Sequence, residues 1–203
     1  MERVTHGWGG PTYARLHWRR SGARHDDCEI CAKSKFSAHT HTGGEEFIVL
    51  DGVSQDEHGD FPQGTYVRNP PTKSHTPGSD KGCTILVKLW QFNKDGRNQF
   101  CKTMAYELAD SVNGVATAEL RRDAQEVVTY SQLDTGSVLH KIDCGGIEMF
   151  VISGSVIEGG DTLGKGAWLR LPDGRALLAV AGDDGAKVWI KSGHLAHAKP
   201  PAV

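Results

Sequence analysis

Short runs of β-branched and aromatic residues punctuate the chain at positions 47–50, 84–90, 127–130, 149–152 and 187–191. Clusters of Gly, Asp and Pro separate them about every eight to twelve residues, the spacing of antiparallel strands in a sandwich or small barrel. Helical periodicity is scarce: residues 102–110 and 119–125 could hold a short helical turn at most. The glycines at 52, 64, 154 and 166 are expected where strands end and the chain turns sharply. The pattern predicts an all-β fold.

An internal repeat organises these strands. Gly43, Gly44, Glu46, Val49, Gly52, Gly64, Arg68 and Pro70 recur as Gly145, Gly146, Glu148, Val151, Gly154, Gly166, Arg170 and Pro172, always 102 positions later. The surroundings agree in type as well, EEFIVLDG against IEMFVISG and GTYVRNPP against GAWLRLPD. Eight coincidences at one offset, four of them glycines, point to two homologous domains. They are expected at residues 1–103 and 104–203.

Composition narrows the class. The chain has 203 residues, 38% hydrophobic and 24% charged, so a folded globular protein is expected rather than a disordered one. A net charge of -2 gives no global reason to expect nucleic acid or an anionic membrane as partner. No apolar run approaches a membrane span, and the opening MERVTHGWGGPTYARLHWRR has no apolar segment of a secretory leader. Five irregularly spaced cysteines argue against a disulfide framework and for a reducing cytosol. A cytoplasmic location is expected.

Candidate chemistry concentrates in His39-Thr-His41-Thr-Gly-Gly-Glu45. Histidines two apart project from one face of a strand, and a Gly-Gly turn can return Glu45 to that face. His75 adds a third imidazole, expected at the start of another strand. Three neutral imidazoles and one carboxylate suit a divalent first-row metal. Surface histidines beside a turn are the alternative, which fits a lone His better than this spacing.

His39, His41, Glu45 and Gly52 in the pattern His-x-His-x3-Glu-x6-Gly resemble the first cupin motif, and Gly64-x5-Pro70 followed by His75 resembles the second. Lys33 stands where the first motif has its leading Gly, and Thr72 replaces a Gly before His75; neither position supplies a ligand. Residues 39–92 are more narrowly similar to the cupin-like domain of the ChrR anti-sigma family. The resemblance implies two tandem cupin (jelly-roll, RmlC-like) β-barrels, the second degenerate. One metal would sit in the first barrel on His39, His41, Glu45 and His75. ChrR-type regulators carry a further N-terminal helical zinc domain. With the first motif at residue 39 there is no room for one in this sequence, so a direct anti-sigma role is not expected.

At the offset of 102, His39 becomes Lys141, His41 becomes Asp143, Glu45 becomes Ile147 and His75 becomes Leu177. That set cannot hold a divalent ion well. The second half is expected to be a structural domain covering a sheet face of the first, or else a small-ligand pocket using Lys141 and Asp143. His25, Cys28 and Cys31 have a Cys-x2-Cys spacing that suits zinc or redox chemistry. A strand there would turn residues three apart to opposite faces and separate the thiols. Cys83, Cys101 and Cys144 are expected to be ordinary buried or half-buried residues. Arg15, His17, Arg19, Arg20, Arg24 and His25 form a basic stretch, read as a solvated edge or loop rather than a docking site. His194 and His197 lie too near the Pro-Pro terminus to count as a site.

Coordination number separates two functional classes. A tetrahedral zinc is satisfied by three nitrogens and one oxygen, a closed site that stabilises or senses. Iron, manganese or nickel takes more ligands and leaves positions open. The first expectation is a ChrR-like regulatory or stress-response protein with one divalent metal per chain, zinc first, with iron, manganese or nickel as alternatives. The second is a mononuclear non-haem dioxygenase acting on a small organic substrate, with Tyr66 and Arg68 near the site in sequence but of undetermined facing. A purely structural or storage-like barrel is the third. Catalytic residues are not assigned. Expected partners are a small-molecule ligand in the first barrel, a regulatory protein and a second copy of the chain as a dimer.

Overall fold

The computed structural model describes residues 25–89, 92 and 95–197, without the side chains of residues 25–28. The basic stretch from Arg15 to Arg24 and the side chains of His25 and Cys28 therefore lie outside the described residues. The chain divides into two compact units, residues 1–103 and 104–203. Both are antiparallel and jelly-roll-like.

The first unit contains β1 (His25–Ile30), β2 (Ser34–Lys35), β3 (His39–His41), β4 (Glu45–Asp56), β5 (Gly59–Pro62), β6 (Thr65–Asn69), β7 (Lys73–His75), β8 (Gly78–Ser79), β9 (Cys83–Leu89) and β10 (Phe100–Thr103). Its main sheet runs β1-β9-β4-β6-β10, while β5 and β8 pair with the later half of β4 and β2 pairs with β8. Alternation along β4 sends Phe47 and Val49 inward, where they pack with Phe61, Val67, Cys83, Ile85 and Val87. Glu45 shares that inward face, so a carboxylate ends an otherwise apolar row. The opposite face carries Glu46, whose Oε2 accepts from the Tyr66 hydroxyl at 2.7 Å and Arg68 Nη1 at 3.3 Å.

The second unit contains a 3-10 turn (Met104–Glu107), β11 (Val115–Arg122), β12 (Val127–Leu133), β13 (Val138–Lys141), β14 (Ile147–Glu158), β15 (Asp161–Gly164), β16 (Trp168–Leu171), β17 (Leu177–Ser192) and a second 3-10 turn (His194–Ala196). Its sheet runs β11-β12-β17-β14-β15 with β13 on β17 and β16 on β14. The repeat is visible in the register: Glu46 stands opposite Arg68 and Glu148 opposite Arg170.

Four local expectations change. Gly52 and Gly154 do not end strands; they lie within β4 and β14 beside register shifts, with φ of 73° and 70°. A Cβ there would collide with the carbonyl oxygens of Gly82 and Gly185, which explains the absence of a side chain. Residues 119–125 hold no helical turn: β11 continues through a bulge to Arg122 and keeps Leu120 buried. Cys83 is buried, but Cys101 and Cys144 are exposed. His75 is the last residue of β7 rather than the start of a strand.

Candidate metal centre

Among the described residues, β3 and β7 pair only with each other, placing His39 opposite His75, Thr40 opposite Ser74 and His41 opposite Lys73. Alternation puts the three imidazoles and Lys73 on one face of this ribbon. Thr40 and Ser74 take the other face, their hydroxyls 2.7 Å apart. After β3 the chain turns tightly, the Gly44 N–H donating to the His41 carbonyl at 3.2 Å with φ of 78°. A Cβ at Gly44 would run into the Phe92 ring, so this turn requires glycine on two counts. It delivers Glu45, the first residue of β4, beneath the imidazoles.

The donor atoms converge. His41 Nε2 and His75 Nε2 are 2.9 Å apart. Glu45 Oε1 lies 3.5 Å from His41 Nε2 and Oε2 lies 3.5 Å from His75 Nε2. The ligand atoms of His39, His41 and His75 all lie within 4.8 Å of one another. An ion about 2.1 Å from each donor needs neighbouring donors roughly 3.0–3.4 Å apart, so small side-chain adjustments complete the set. No other such group of His, Cys, Asp or Glu occurs among the described residues.

A second layer aims these ligands. His39 Nδ1 donates to the Ser37 carbonyl at 2.9 Å, and His75 Nδ1 donates to Asp56 Oδ2 at 3.2 Å. Both bonds leave Nε2 as the free donor atom, the usual outer support of a metal-binding imidazole. Asn69 Nδ2 donates to Glu45 Oε2 at 3.1 Å, and Gln99 Nε2 holds Asn69 Oδ1 at 3.2 Å.

The electrostatics favour a cation. Burial, with His75 and His39 adding repulsion, lowers the His41 pKa to about 4, so its imidazole is neutral at physiological pH. Burial raises the Glu45 carboxyl despite the opposing pull of the nearby histidines and Asn69. Burial works against a charged His75, but the Asp56 hydrogen bond and the charges of Glu45, Asp56 and Glu57 outweigh it and raise its pKa. The donor set, its outer hydrogen bonds and the buried carboxylate fit a divalent transition metal.

His41, His58, Asn69, Lys73, Ser74, His75 and Gln99 line a shallow depression over the site with an empty volume of ≈ 160 Å³.

The structure brings together His39, His41, Glu45 and His75. It turns Tyr66 and Arg68 away, onto Glu46. In the second unit, Lys141 stands opposite Leu177 as His39 stands opposite His75. Ile147 and Leu177 are buried in that unit's apolar core, while Lys141 Nζ lies 3.9 Å from Asp143 Oδ2. His194 is buried with Nε2 2.9 Å from Glu148 Oε2. The sequence reading missed Asp56, Asn69 and Gln99. Of these only Asn69 left a trace, lying on the inward face of β6 in line with Val67.

Residues 28–93, about a third of the chain, match the ChrR cupin-like domain. No curated protein matches the sequence. Among solved structures, a protein from Nostoc punctiforme provisionally named a dioxygenase is 17% identical, with a TM-score of 0.67 over 93% of this chain and 75% of its own. A cupin 2 conserved barrel domain protein from Leptotrichia buccalis is 10% identical, with a TM-score of 0.61 over 92% and 91%. Oxalate decarboxylase from Bacillus subtilis is 13% identical, with a TM-score of 0.61 over 83% and 68%. At these identities the likeness shows the fold. No helix among the described residues is long and apolar enough to cross a membrane. Residues 28–93 thus match the ChrR cupin-like domain, and the chain as a whole has a cupin-like fold of two jelly-roll-like units.

Proposed function

We propose that this protein is a metal-binding regulatory or stress-response cupin, with one divalent transition metal per chain held by His39, His41, Glu45 and His75. Zinc is the ion of first choice, because three nitrogens and one oxygen satisfy a tetrahedral ion. The observation that carries the reading is the isolation of the β3–β7 ribbon, which bears all three imidazoles and pairs with no other strand among the described residues. A ribbon of three residue pairs is marginal alone, so a metal tying it to Glu45 on β4 would decide its order. Loss of the metal would then change the surface offered to a protein partner or second copy. The ChrR cupin-like match covers this segment. Four free cysteines among the described residues suit a reducing, cytoplasmic setting.

The test is elemental analysis of the full chain as isolated, beside His75→Ala, with thermal unfolding before and after chelation. About one zinc per chain, lost in His75→Ala and worth several degrees of melting temperature, is expected. Absence of any metal, after growth in zinc and in iron, would sink the reading.

A second reading is a mononuclear metal-dependent dioxygenase for a small organic compound, favoured by the shallow depression that His41 and His75 line. A bound iron would supply the redox chemistry, while the barrel wall excludes water. Oxygen uptake by the iron-loaded chain against a panel of small acids and diketones tests it. No uptake counts against it.

A further inference from the structure

Of the six large hydrophobic side chains exposed among the described residues, three share one face of the second unit: Val138, Ile157 and Leu178. Val138 on β13 and Ile157 on β14 both stand opposite the half-buried Val180 of β17, and Ile157 stands opposite Thr162 of β15. Leu178 lies two residues before Val180, on the same side of β17. The alternate residues Leu139, Val156, Leu177, Ala179 and Ala181 face the core, so this row faces outward. In the first unit the same row is polar. There Lys35 and Gln55 stand opposite Gly78, and Gln55 stands opposite Asp60, donating from Nε2 to Oδ1 at 2.8 Å. Lys, Gly, Gln and Asp in one unit are thus Val, Val, Ile and Thr in the other. The fold does not require an apolar row here, and a contiguous apolar strip on a sheet face marks a contact surface.

We propose that a second copy of this chain covers this face, with β17 packed antiparallel on β17 about a two-fold axis. The flanking charges select that occupant and that orientation. Arg175 lies three residues before Leu178, and Asp183 lies three residues after Val180. Both are exposed, and neither has an ion-pair partner among the described residues. An axis running across the strands at Ala179 sets Leu178 against Val180 of the other copy. The same axis sets Arg175 against Asp183 of the other copy. Each contact then occurs twice, as a closed isologous interface requires. An axis along β17 would instead oppose Arg175 to Arg175 and Asp183 to Asp183, which like-charge repulsion disfavours. Sheets packed face to face keep their strands nearly aligned, which the antiparallel arrangement satisfies. Four apolar residues make a small centre, so the dimer is weak and reversible. The face belongs to the second unit alone, so the inference does not rest on the metal reading.

Sedimentation velocity of the full chain at low salt, from micromolar to near-millimolar protein, tests it, with circular dichroism to check the folding of each variant. Wild type is expected to show a monomer–dimer equilibrium. Leu178→Glu should weaken the dimer about tenfold or more. Ile157→Gln, which installs the residue of the first unit's row at an exposed position, should act in the same direction and serves if Leu178→Glu fails to fold. Val112→Ser, at an exposed apolar position off this face, should change nothing. Arg175→Asp and Asp183→Arg should each weaken the dimer about three- to tenfold, and the double variant should recover most of that loss. A wild-type chain that stays monomeric throughout overturns the proposal, as does a dimer that the folded Leu178 and Ile157 variants leave intact. Loss in both charge variants without recovery in the double variant overturns the antiparallel packing.

Discussion

Asp56 reaches His75 from the far end of the strand that begins with Glu45, its Oδ2 standing 3.2 Å from His75 Nδ1. One strand therefore supplies both a donor to the site and the support behind another donor. It does so by changing partners. Up to Gly52, β4 pairs with β9; beyond it, β4 pairs with β5 and β8. A strand that switches sheets at a bulge turns a corner, and this corner brings Asp56 back to the imidazole that Glu45 meets from the other side.

Asp56→Asn should weaken metal binding by about tenfold or more, because outer-layer partners of a ligating histidine typically carry that much affinity. The asparagine can still accept the Nδ1 hydrogen, so ring orientation survives and only the charge is lost. The same change should lower the His75 pKa toward its ordinary value, since the Asp56 bond and charge are among the causes raising it. Competition against a chromophoric chelator measures the first effect, and imidazole proton shifts in the metal-free protein measure the second. Wild-type affinity in the variant would remove Asp56 from the site.

Gly52→Ala should destabilise the first unit by about 2 kcal/mol or more. The alanine would occupy φ near 73° and meet the Gly82 backbone, which cannot swing away as a side chain can. Metal affinity should fall with it, because the corner aligns Glu45 with Asp56. Urea unfolding and the chelator competition read the two losses, and a stable variant with intact affinity would contradict this account of the strand.

The metal-free protein should lose stability as pH falls from 6.5 to about 4 through His41. Its folded pKa is depressed, so over this window the unfolded chain binds the proton and the folded one does not. The contribution is on the order of 2 kcal/mol after allowance for its solvent-facing position. His75 and Glu45 act with the opposite sign. Their folded pKa values are raised, so their stabilisation is present at low pH and fades as pH rises through those values. Comparing urea midpoints of wild type and His41→Gln across the window isolates the His41 part. Parallel curves would show that His41 is not desolvated.

The closeness of His39, His41 and Glu45 was legible in the sequence because alternation in a strand and a Gly-Gly turn bring them together without long-range knowledge, whereas His75 was joined to them only through the resemblance to a cupin motif. The offset of 102 likewise located the residues facing one another in the second unit, Lys141 and Leu177. Asp56 was not legible: its approach depends on a corner inside β4, and Gly52 reads equally well as a strand end. Nor was the facing of Arg68, since both faces of residues 45–49 are buried and the run shows no polar alternation to orient it.

Thr72→Gly should stabilise the first unit by about 0.5–1 kcal/mol. Thr72 takes φ of 72°, a region that β-branched residues resist, just before the ribbon strand bearing His75. Arg97 holds the turn, donating to the Pro71 carbonyl at 2.8 Å and to Thr72 Oγ1 at 3.2 Å. Glycine relieves the strain, loses the second bond and gains unfolded-state entropy, so the net effect is modest. Lys33, at φ 58°, is the other position where a motif glycine is replaced, and Lys33→Gly should act in the same direction. A lower urea midpoint in both variants would mean that neither backbone is strained.

Removing the metal should loosen one part of the chain and leave another untouched. The β3–β7 ribbon has three residue pairs, while β4 is held on both edges by β6 and β9. Local opening costs least where few pairs must break, so chelation should raise amide exchange at residues 39–41 and 73–75 first. Residues 147–158 of β14, which pair with β15, β16 and β17, should keep their protection. Hydrogen exchange of the full chain with and without chelator, read by mass spectrometry at peptide resolution, makes the comparison. Uniform loss across both units would mean that the metal holds the whole molecule rather than the ribbon. Unchanged exchange at the ribbon would mean that its own hydrogen bonds suffice, and the switching part of the regulatory reading would fall.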